Sequence, residues 1–269
     1  ERPNVDYKFY VLDTPMVNAF ALPGGYIYIS RGLLAIADNE AELAAVLGHE
    51  AGHITGRHSA ERYSRSVVTQ LGAGLLAAAV DSAGVSQALG LGSDLYLKSY
   101  SRSQENEADT LGIRYLSRNG YDSSAMTTFL ENLQRASAFE AMESGSFSSA
   151  AGVSYFSTHP ATSDRVAKTA SETVGGQNNG ETNRNAYLDV IDGITYGDSA
   201  KQGFVRGDNF IHPSIGFKFS VPDGFKIINQ PAQVIATSRD KSVLLFDFAV
   251  NKGGQTPMAY LQNVWMKGE

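Results

Sequence analysis

The fold and the chemistry of this chain are decided by one stretch of sequence, NEAELAAVLGHEAGHITG at residues 39–56. Its apolar positions, which include Leu43 and Val46, recur at the spacing of one helical face. Asn39 or Asp38 stands just before these positions, where an N-cap residue is expected. The stretch therefore predicts a strong α-helix.

Two histidines lie on one face of this helix. His49 and His53 are four residues apart, so both imidazoles can bind one tetrahedral Zn²⁺. Glu50 is rotated by about 100° around the helix, which places it beside the metal as a proton acceptor and not as a ligand. Two ordinary histidines on a helix are the alternative interpretation. Gly48 and Gly52, which are costly inside a helix, favour a close neighbour, either backbone or ligand.

A catalytic zinc site needs a third protein ligand. His58 falls one position short of the spacing at which a third histidine follows on the same segment, so we predict that it lies on the surface. Another helical segment offers Glu105, Glu107 and Asp109, of which Glu105 and Asp109 share one face. We predict that Glu105 binds zinc and that Asp109 accepts the other ring N–H of a ligand histidine. An exposed acidic helix face is the alternative.

Four separated blocks of sequence resemble the zinc metallopeptidase family that includes the CAAX prenyl protease, HtpX and the OMA-type proteases. The blocks are NAFALPGG at 18–25, the motif from His49 to His53, SRSQENEADTLG at 101–112, and Thr158-His159-Pro160 followed by Arg165. The resemblance implies a domain of gluzincin type, in which a carboxylate from a second helix completes the metal site.

The resemblance also implies a role for each matching residue. It makes His49, His53 and Glu105 the ligands of one Zn²⁺, Glu50 the general base and Asp109 the carboxylate behind the ligands. It selects Glu105 over Glu107.

Residues outside the two metal-binding helices also match the family. The resemblance implies substrate binding on an edge strand by Asn18, Ala19, Phe20 and Ala21. It implies that His159 and Arg165 stabilise the oxyanion or bind substrate. A His159 that instead covers the metal and keeps the enzyme latent is a second hypothesis.

The composition narrows the function classes. Hydrophobic residues make up 42% and charged residues 19% of the chain, as in ordinary globular proteins. A net charge of −6 without a basic cluster argues against nucleic acid as a partner. The absence of cysteine excludes thiol chemistry and disulfides. Polar residues interrupt the most apolar segment, 67–91, which predicts a buried or surface hairpin, with peripheral membrane contact as the alternative.

The pattern of elements predicts an α+β fold with two domains. A mainly helical peptidase domain with a small edge sheet occupies 1–178, and a small α+β module of unknown role, which could bind a partner, occupies 186–269. The predicted elements are strands at 7–12, 19–22 and 26–29, helices at 101–118 and 123–137, a loop at 141–158, a linker at 171–185, strands at 217–221, 234–237 and 243–250, and a helix at 257–265.

These features together predict an endopeptidase that cleaves misfolded or envelope polypeptides. The chain begins without a start methionine or an apolar leader, so we expect an exported or trimmed form. The resemblance to soluble periplasmic members favours the bacterial periplasm or cell envelope. The alternatives are a latent protease that acts mainly as a chaperone or assembly factor, and a purely structural zinc site.

Overall fold

The computed structural model describes residues 4–62, 64, 99–144, 155–173, 179–230, 233–246, 254 and 256–266. The chain forms two compact units, residues 1–199 and 200–269. Helices and small sheets occur together, which confirms the predicted α+β class. The predicted hairpin at 67–91 lies outside the described residues.

The first unit contains a three-stranded sheet near its N-terminus. Strands β1 (Lys8–Leu12), β2 (Ala19–Leu22) and β3 (Tyr26–Ser30) lie in the order β1-β3-β2. Strand β1 is parallel to β3, and β2 is antiparallel to it. The turn between β2 and β3 needs glycine, because Gly25 has φ +95° and an added Cβ would lie 2.6 Å from the Asp6 carbonyl oxygen. The order leaves β2 as an edge strand, as predicted.

The described residues of the first unit form seven helices. They are α1 (Arg31–Leu34), α2 (Glu40–Thr55), α3 (Arg102–Arg118), α4 (Ala125–Ser144), α5 (Tyr155–Thr158), α6 (Ser163–Thr173) and α7 (Arg184–Ile191). The Asn39 side chain accepts a hydrogen bond from Glu42 N–H at the start of α2. Ser101 and Gln104 form a capping box at the start of α3.

The predicted loop at 141–158 is wrong at both ends. Helix α4 continues to Ser144, since the chain up to Glu143 consists of good helix formers and the Ser/Gly-rich stretch starts only there. Helix α5 forms because Tyr155 is buried in the core and its N–H donates to the Val17 carbonyl.

Helix α2 lies at the centre of the unit and packs closely against α3. A Cβ added to Gly52 would lie 3.0 Å from Ala108 Cα, and one added to Gly48 would lie 3.3 Å from Gly112 Cα. The close neighbour that these glycines predict is therefore the backbone of α3. On its other side α2 meets the main apolar core between the sheet and α4, formed by Ala19, Ile29, Leu33, Val46, Phe129, Leu130, Leu133 and Tyr155.

The segment after α6 belongs to the first unit. Tyr187 of α7 is buried and its hydroxyl donates to the Leu34 carbonyl at 2.7 Å. Arg31 donates to the Gly197 carbonyl at 2.9 Å. The linker predicted at 171–185 therefore starts within α6. The first unit extends to residue 199, because Tyr187 anchors α7 to it by apolar burial.

The described part of the second unit is built mainly from two antiparallel sheets. One contains β4 (Phe204–Arg206), β5 (Asn209–His212) and β6 (Phe217–Ser220), and the other β7 (Phe225–Asn229), β8 (Val234–Ser238) and β9 (Val243–Phe246). A turn of 3₁₀-helix spans Pro213–Ile215, and α8 (Pro257–Tyr260) continues as a π-helical turn at Leu261–Trp265. Strands β4, β5 and β7 were not predicted.

Aromatic residues of these strands form a core. Phe217, Phe219 and Phe246 pack against a buried cluster around Phe210, while Phe248 lies outside the described residues. Across the part of the chain that the structure describes, no helix combines the length and the apolar character needed to span a membrane.

Candidate metal centre

Four buried side chains converge between α2, α3 and the end of α5. One donor atom each from His49, His53, Glu105 and His159 lies within 4.8 Å of the others. We call this cluster the metal centre. The structure thus brings together the three ligands predicted from the sequence and adds His159 as a fourth donor.

The spacing along α2 sets the geometry of the two histidines. His49 Nε2 and His53 Nε2 are 3.0 Å apart, because residues one turn apart project from the same face. Glu105 reaches them from α3, with one oxygen 3.6 Å from His49 Nε2 and the other 3.4 Å from His53 Nε2. The close packing of α2 on α3 is what allows a short glutamate side chain to span the two helices.

Asp109 lies one turn beyond Glu105 and fixes His49. Its Oδ1 is 2.8 Å from His49 Nδ1, and Arg165 donates to both of its oxygens, from Nε at 2.8 Å and from Nη2 at 2.7 Å. Burial raises the pKa of the Asp109 carboxyl, but the hydrogen bonds from Arg165 and His49 outweigh burial and hold that pKa at about 2. The ionised carboxylate accepts the Nδ1–H of His49, so the Nε2 lone pair points into the metal centre.

Arg165 was predicted to contact the oxyanion or the substrate. The structure places its guanidinium against the acidic side chains instead, since Nη1 also lies 2.7 Å from Glu105 Oε2. Arg165 is buried at 4% exposure. In this arrangement it holds Asp109 and Glu105 in place.

Glu50 is fully buried beside the metal centre. Among the described residues, neither of its carboxylate oxygens has a hydrogen-bond partner, and the nearest imidazole nitrogen, His159 Nε2, is 3.7 Å from Oε1. Burial raises the pKa of the Glu50 carboxyl. An unpartnered buried carboxylate is costly, so its position needs a ligand or a reaction to explain it.

The metal centre fits a divalent cation. The Nε2 lone pair of His49 and a carboxylate converge at contact distance in a buried site, which is favourable when a cation lies between them. Two imidazole nitrogens and one carboxylate are donors that suit Zn²⁺. The donor set of the metal centre therefore supports a metal site.

His159 directly follows α5 and lies in the metal centre. Its Nδ1 is 3.0 Å from Glu105 Oε1 and 3.3 Å from His49 Nε2. Its ring stacks on Tyr155 with centroids 4.6 Å apart. Because His49, His53 and Glu105 are each at most 2% exposed, the segment that carries His159 helps to keep the metal centre closed to solvent.

His58 was predicted to lie on the surface, and this is wrong. It is 2% exposed, and its Nδ1 lies 2.8 Å from His53 Nδ1. The sequence signal that could have found it is the pair Gly56-Arg57, which can turn the chain back. Sequence reasoning also missed Tyr100, whose ring stacks on His53 with centroids 3.8 Å apart.

The predicted substrate strand is present at the edge of the sheet. Asn18 N–H donates to Ser30 Oγ at 2.9 Å, and Ser30 N–H donates to the Asn18 carbonyl at 2.8 Å. Ala19 and Ala21 are buried, and the Phe20 ring stacks on Tyr28. Strand β2 also packs against α2, the helix that carries the histidines.

A cavity of about 710 Å³ lies on the opposite side of α2 from the histidines. It is lined by Ala44, Leu47 and Ala51 of α2 and by aromatic side chains of other elements, including Tyr7 and Tyr115. Because these α2 positions face away from His49 and His53, this cavity is not the reaction site.

The part of the chain that contains the metal centre is similar to known metallopeptidases. The model of peptidase family M48 matches residues 1–173. The β-barrel assembly-enhancing protease of Escherichia coli K12 is 39% identical over 136 residues, which cover 47% of this chain and 28% of that protein. The mitochondrial metalloendopeptidase OMA1 of Schizosaccharomyces pombe is 33% identical over 165 residues, which cover 61% of this chain and 46% of that protein. The chain therefore matches less than half the length of either relative.

Proposed function

The chain belongs to peptidase family M48, and on that premise we propose that it is an endopeptidase with one Zn²⁺ held by His49, His53 and Glu105. The family expected from the four sequence blocks is thereby confirmed. The observation that carries the proposal is the convergence of these three buried donors beside the Glu50 carboxylate, which accepts no hydrogen bond from any described residue.

The metal and Glu50 divide the chemistry between them. When bound, the metal ion supplies Lewis acidity, which polarises a peptide carbonyl and makes water acidic enough to lose a proton. Glu50 takes that proton from the attacking water and returns it to the leaving amine. Its carboxylate suits this task because no hydrogen bond from a described residue occupies it.

Asp109 and Arg165 act on the ligands and not on the substrate. Asp109 keeps His49 in the tautomer that presents Nε2 to the metal, and Arg165 holds Asp109 and Glu105 by short ion contacts. These contacts fix the ligands before the metal arrives.

The substrate is proposed to bind as an extended strand along β2. An extended peptide that adds to an edge strand is held mainly through its main chain. Ala19, Phe20 and Ala21 lie in this strand, and Asn18 directly precedes it. Recognition through the main chain predicts loose sequence selectivity.

Two roles for His159 follow from its position. As a fourth donor in the metal centre it would keep the enzyme latent until α5 moves. Displaced toward the substrate it would stabilise the oxyanion. The burial of the whole metal centre favours the first role. We expect His159→Ala to raise peptidase activity if His159 covers the metal and to lower it if His159 stabilises the oxyanion; unchanged activity would exclude both roles.

A latent protease that works mainly as a chaperone or assembly factor is the second candidate. It is supported by the closed metal centre and by a relative named for enhancing β-barrel assembly. We therefore propose the bacterial cell envelope as the location and its polypeptides as substrates. Peripheral membrane contact through 67–91 and a partner for the second unit remain part of this proposal.

A purely structural zinc site is a weaker candidate. His159 would supply its fourth ligand, but such a site gives no reason for a buried Glu50 that has no hydrogen bond to a described residue. The environment of Glu50 therefore favours catalysis.

The decisive experiment compares the wild type with Glu50→Gln, using Glu131→Gln on the exposed face of α4 as the control. Zinc content and cleavage of an unfolded protein such as reduced casein are measured. General-base catalysis contributes roughly 10²–10⁴-fold, so we expect Glu50→Gln to keep its zinc and lose activity by about that factor. Retained cleavage by Glu50→Gln would refute the mechanism. Client binding by the inactive variant would favour the assembly role.

A further inference from the structure

Among the described residues, no carboxylate contacts the outer ring nitrogen of His53, unlike that of His49. The described group within hydrogen-bonding distance of His53 Nδ1 is the His58 imidazole, with Nδ1 to Nδ1 at 2.8 Å. Two imidazole nitrogens at this distance share one proton, so one of them donates and the other accepts. Which nitrogen carries the proton decides the tautomer of His53.

Glu107 settles the direction of this hydrogen bond. One of its carboxylate oxygens lies 3.4 Å from His58 Nε2. An ionised carboxylate only accepts hydrogen bonds, so His58 is protonated on Nε2 and presents a lone pair at Nδ1. His53 then donates its Nδ1–H to His58 and turns the Nε2 lone pair toward the metal centre.

The local backbone is built to bring His58 back under α2. Helix α2 ends at Thr55, Gly56 is its C-cap, and Arg57 adopts a left-handed conformation with φ +59°. The His58 ring then lies directly over Gly56, where an added Cβ would be 2.4 Å from His58 Nε2. Only glycine leaves this space for the ring.

We infer that His58 is a positioning residue for the metal, which selects the metal-binding tautomer of His53 and is itself oriented by Glu107. It does for His53 what Asp109 does for His49, but with a neutral side chain. The inference rests on the proposed metal site and goes beyond it, since His58 lies outside the set of ligands.

The first test is zinc affinity, measured by competition with a chelator. The variants are His58→Phe, which fills the space without an acceptor, and His58→Asn, whose side-chain oxygen is attached to Cγ as Nδ1 is in histidine. Loss of such an orienting partner typically costs about 10–100-fold in metal affinity. We expect that loss for His58→Phe and substantial recovery for His58→Asn. Wild-type affinity in His58→Phe would overturn the inference.

Glu107→Gln is the second variant, because the Glu107 side chain is exposed and the substitution leaves the buried core unchanged. We expect weaker zinc binding and a shifted visible spectrum of the Co²⁺-substituted protein. Glu131→Gln removes the same charge from an exposed position on α4 and is expected to change neither. Equal effects of the two substitutions would mean that net charge alone is responsible, and would overturn the role of Glu107.

The tautomers can also be observed without activity or metal. The chain has five histidines, so long-range ¹H–¹⁵N correlation of histidine-labelled, metal-free protein at pH 8 resolves each ring. We expect the Nε2–H tautomer for His58 and the Nδ1–H tautomer for His53, and the reverse assignment would overturn the inference. If wild type and every variant bind zinc equally well, the proposed metal site stands but the positioning role of His58 is refuted. A wild type that binds no zinc would overturn both proposals.

Discussion

Substitution of Gly52 by alanine tests whether the spacing between α2 and α3 sets the metal centre. Gly52 lies between the two ligand histidines and faces Ala108, which itself lies between Glu105 and Asp109. The added Cβ would be 3.0 Å from both Cα and O of Ala108 and 3.4 Å from its Cβ. The first two are backbone atoms, so they can only give way if the helices separate.

The expected loss of stability is modest. Overpacking of a tight contact costs about 1–3 kcal/mol, while replacing glycine by alanine inside a helix returns about 1 kcal/mol. The net destabilisation is therefore about 0–2 kcal/mol. The effect on the metal centre should be larger, since separating the helices moves Glu105 and Asp109 away from His49 and His53 together.

Two measurements separate these effects. Thermal unfolding of the metal-free protein gives the stability change, and chelator competition gives the zinc affinity. Gly48→Ala is the matched control, because its Cβ meets Gly112 Cα at 3.3 Å, and glycine there leaves more room to adjust. We expect zinc affinity and peptidase activity to fall more in Gly52→Ala than in Gly48→Ala. Wild-type zinc affinity in a folded Gly52→Ala protein would refute the idea that this contact sets the ligand geometry.

Two further predictions follow from buried polar contacts. Asp109→Asn removes one of the two buried carboxylates that contact Arg165, the other being Glu105. We expect the free energy of unfolding to fall by about 1–3 kcal/mol and zinc affinity to fall about 10–100-fold. Unchanged values in both assays would contradict the role of Asp109. Tyr187→Phe removes the bond to the Leu34 carbonyl and should cost about 1 kcal/mol at pH 7. Burial raises the pKa of Tyr187 from 10.0 to about 12. The Tyr187 hydroxyl therefore stabilises the folded state fully below pH 10, and this stabilisation is lost as the pH rises toward 12. Denaturant titrations should show that the difference in unfolding free energy between wild type and Tyr187→Phe narrows from pH 10 to pH 12.

The sequence predicted best where structure depends on local spacing. The three strands of the first sheet, the N-cap of α2 and the extent of α3 depend on residues within a few positions of one another. Strands β4, β5 and β7 were missed because they are short and carry charged or polar residues beside their apolar ones, as in Lys226 and Asn229 of β7. Their pairing is settled by neighbouring strands and not by their own pattern.

For the metal centre too, the sequence predicted the local spacing of the ligands better than the contacts between distant segments. His49 and His53 share a face by helical geometry alone, and Glu105 with Asp109 repeats that spacing on a second helix. The sequence predicted that these faces meet, but it left open whether the close neighbour of Gly48 and Gly52 is backbone or a ligand. The structure shows that it is the backbone of α3, because Gly52 and Ala108 are small enough to let the two helices approach closely.

The error over His58 has a specific physical cause. Treating residues 49–58 as one continuous helix puts His58 about 100° away from the direction needed for a metal ligand, and a surface position then follows. The helix in fact ends at Thr55, and the left-handed Arg57 redirects the chain, so helical spacing no longer applies. A non-glycine residue with positive φ is uncommon and unfavourable, and here it is what carries the His58 ring to His53 Nδ1. Arg57→Gly should therefore relieve the backbone strain and keep the zinc affinity of the wild type. Gly56→Ala places a Cβ where the His58 ring lies and should lower zinc affinity. Similar zinc affinity in the two variants would show that the turn has no part in placing His58.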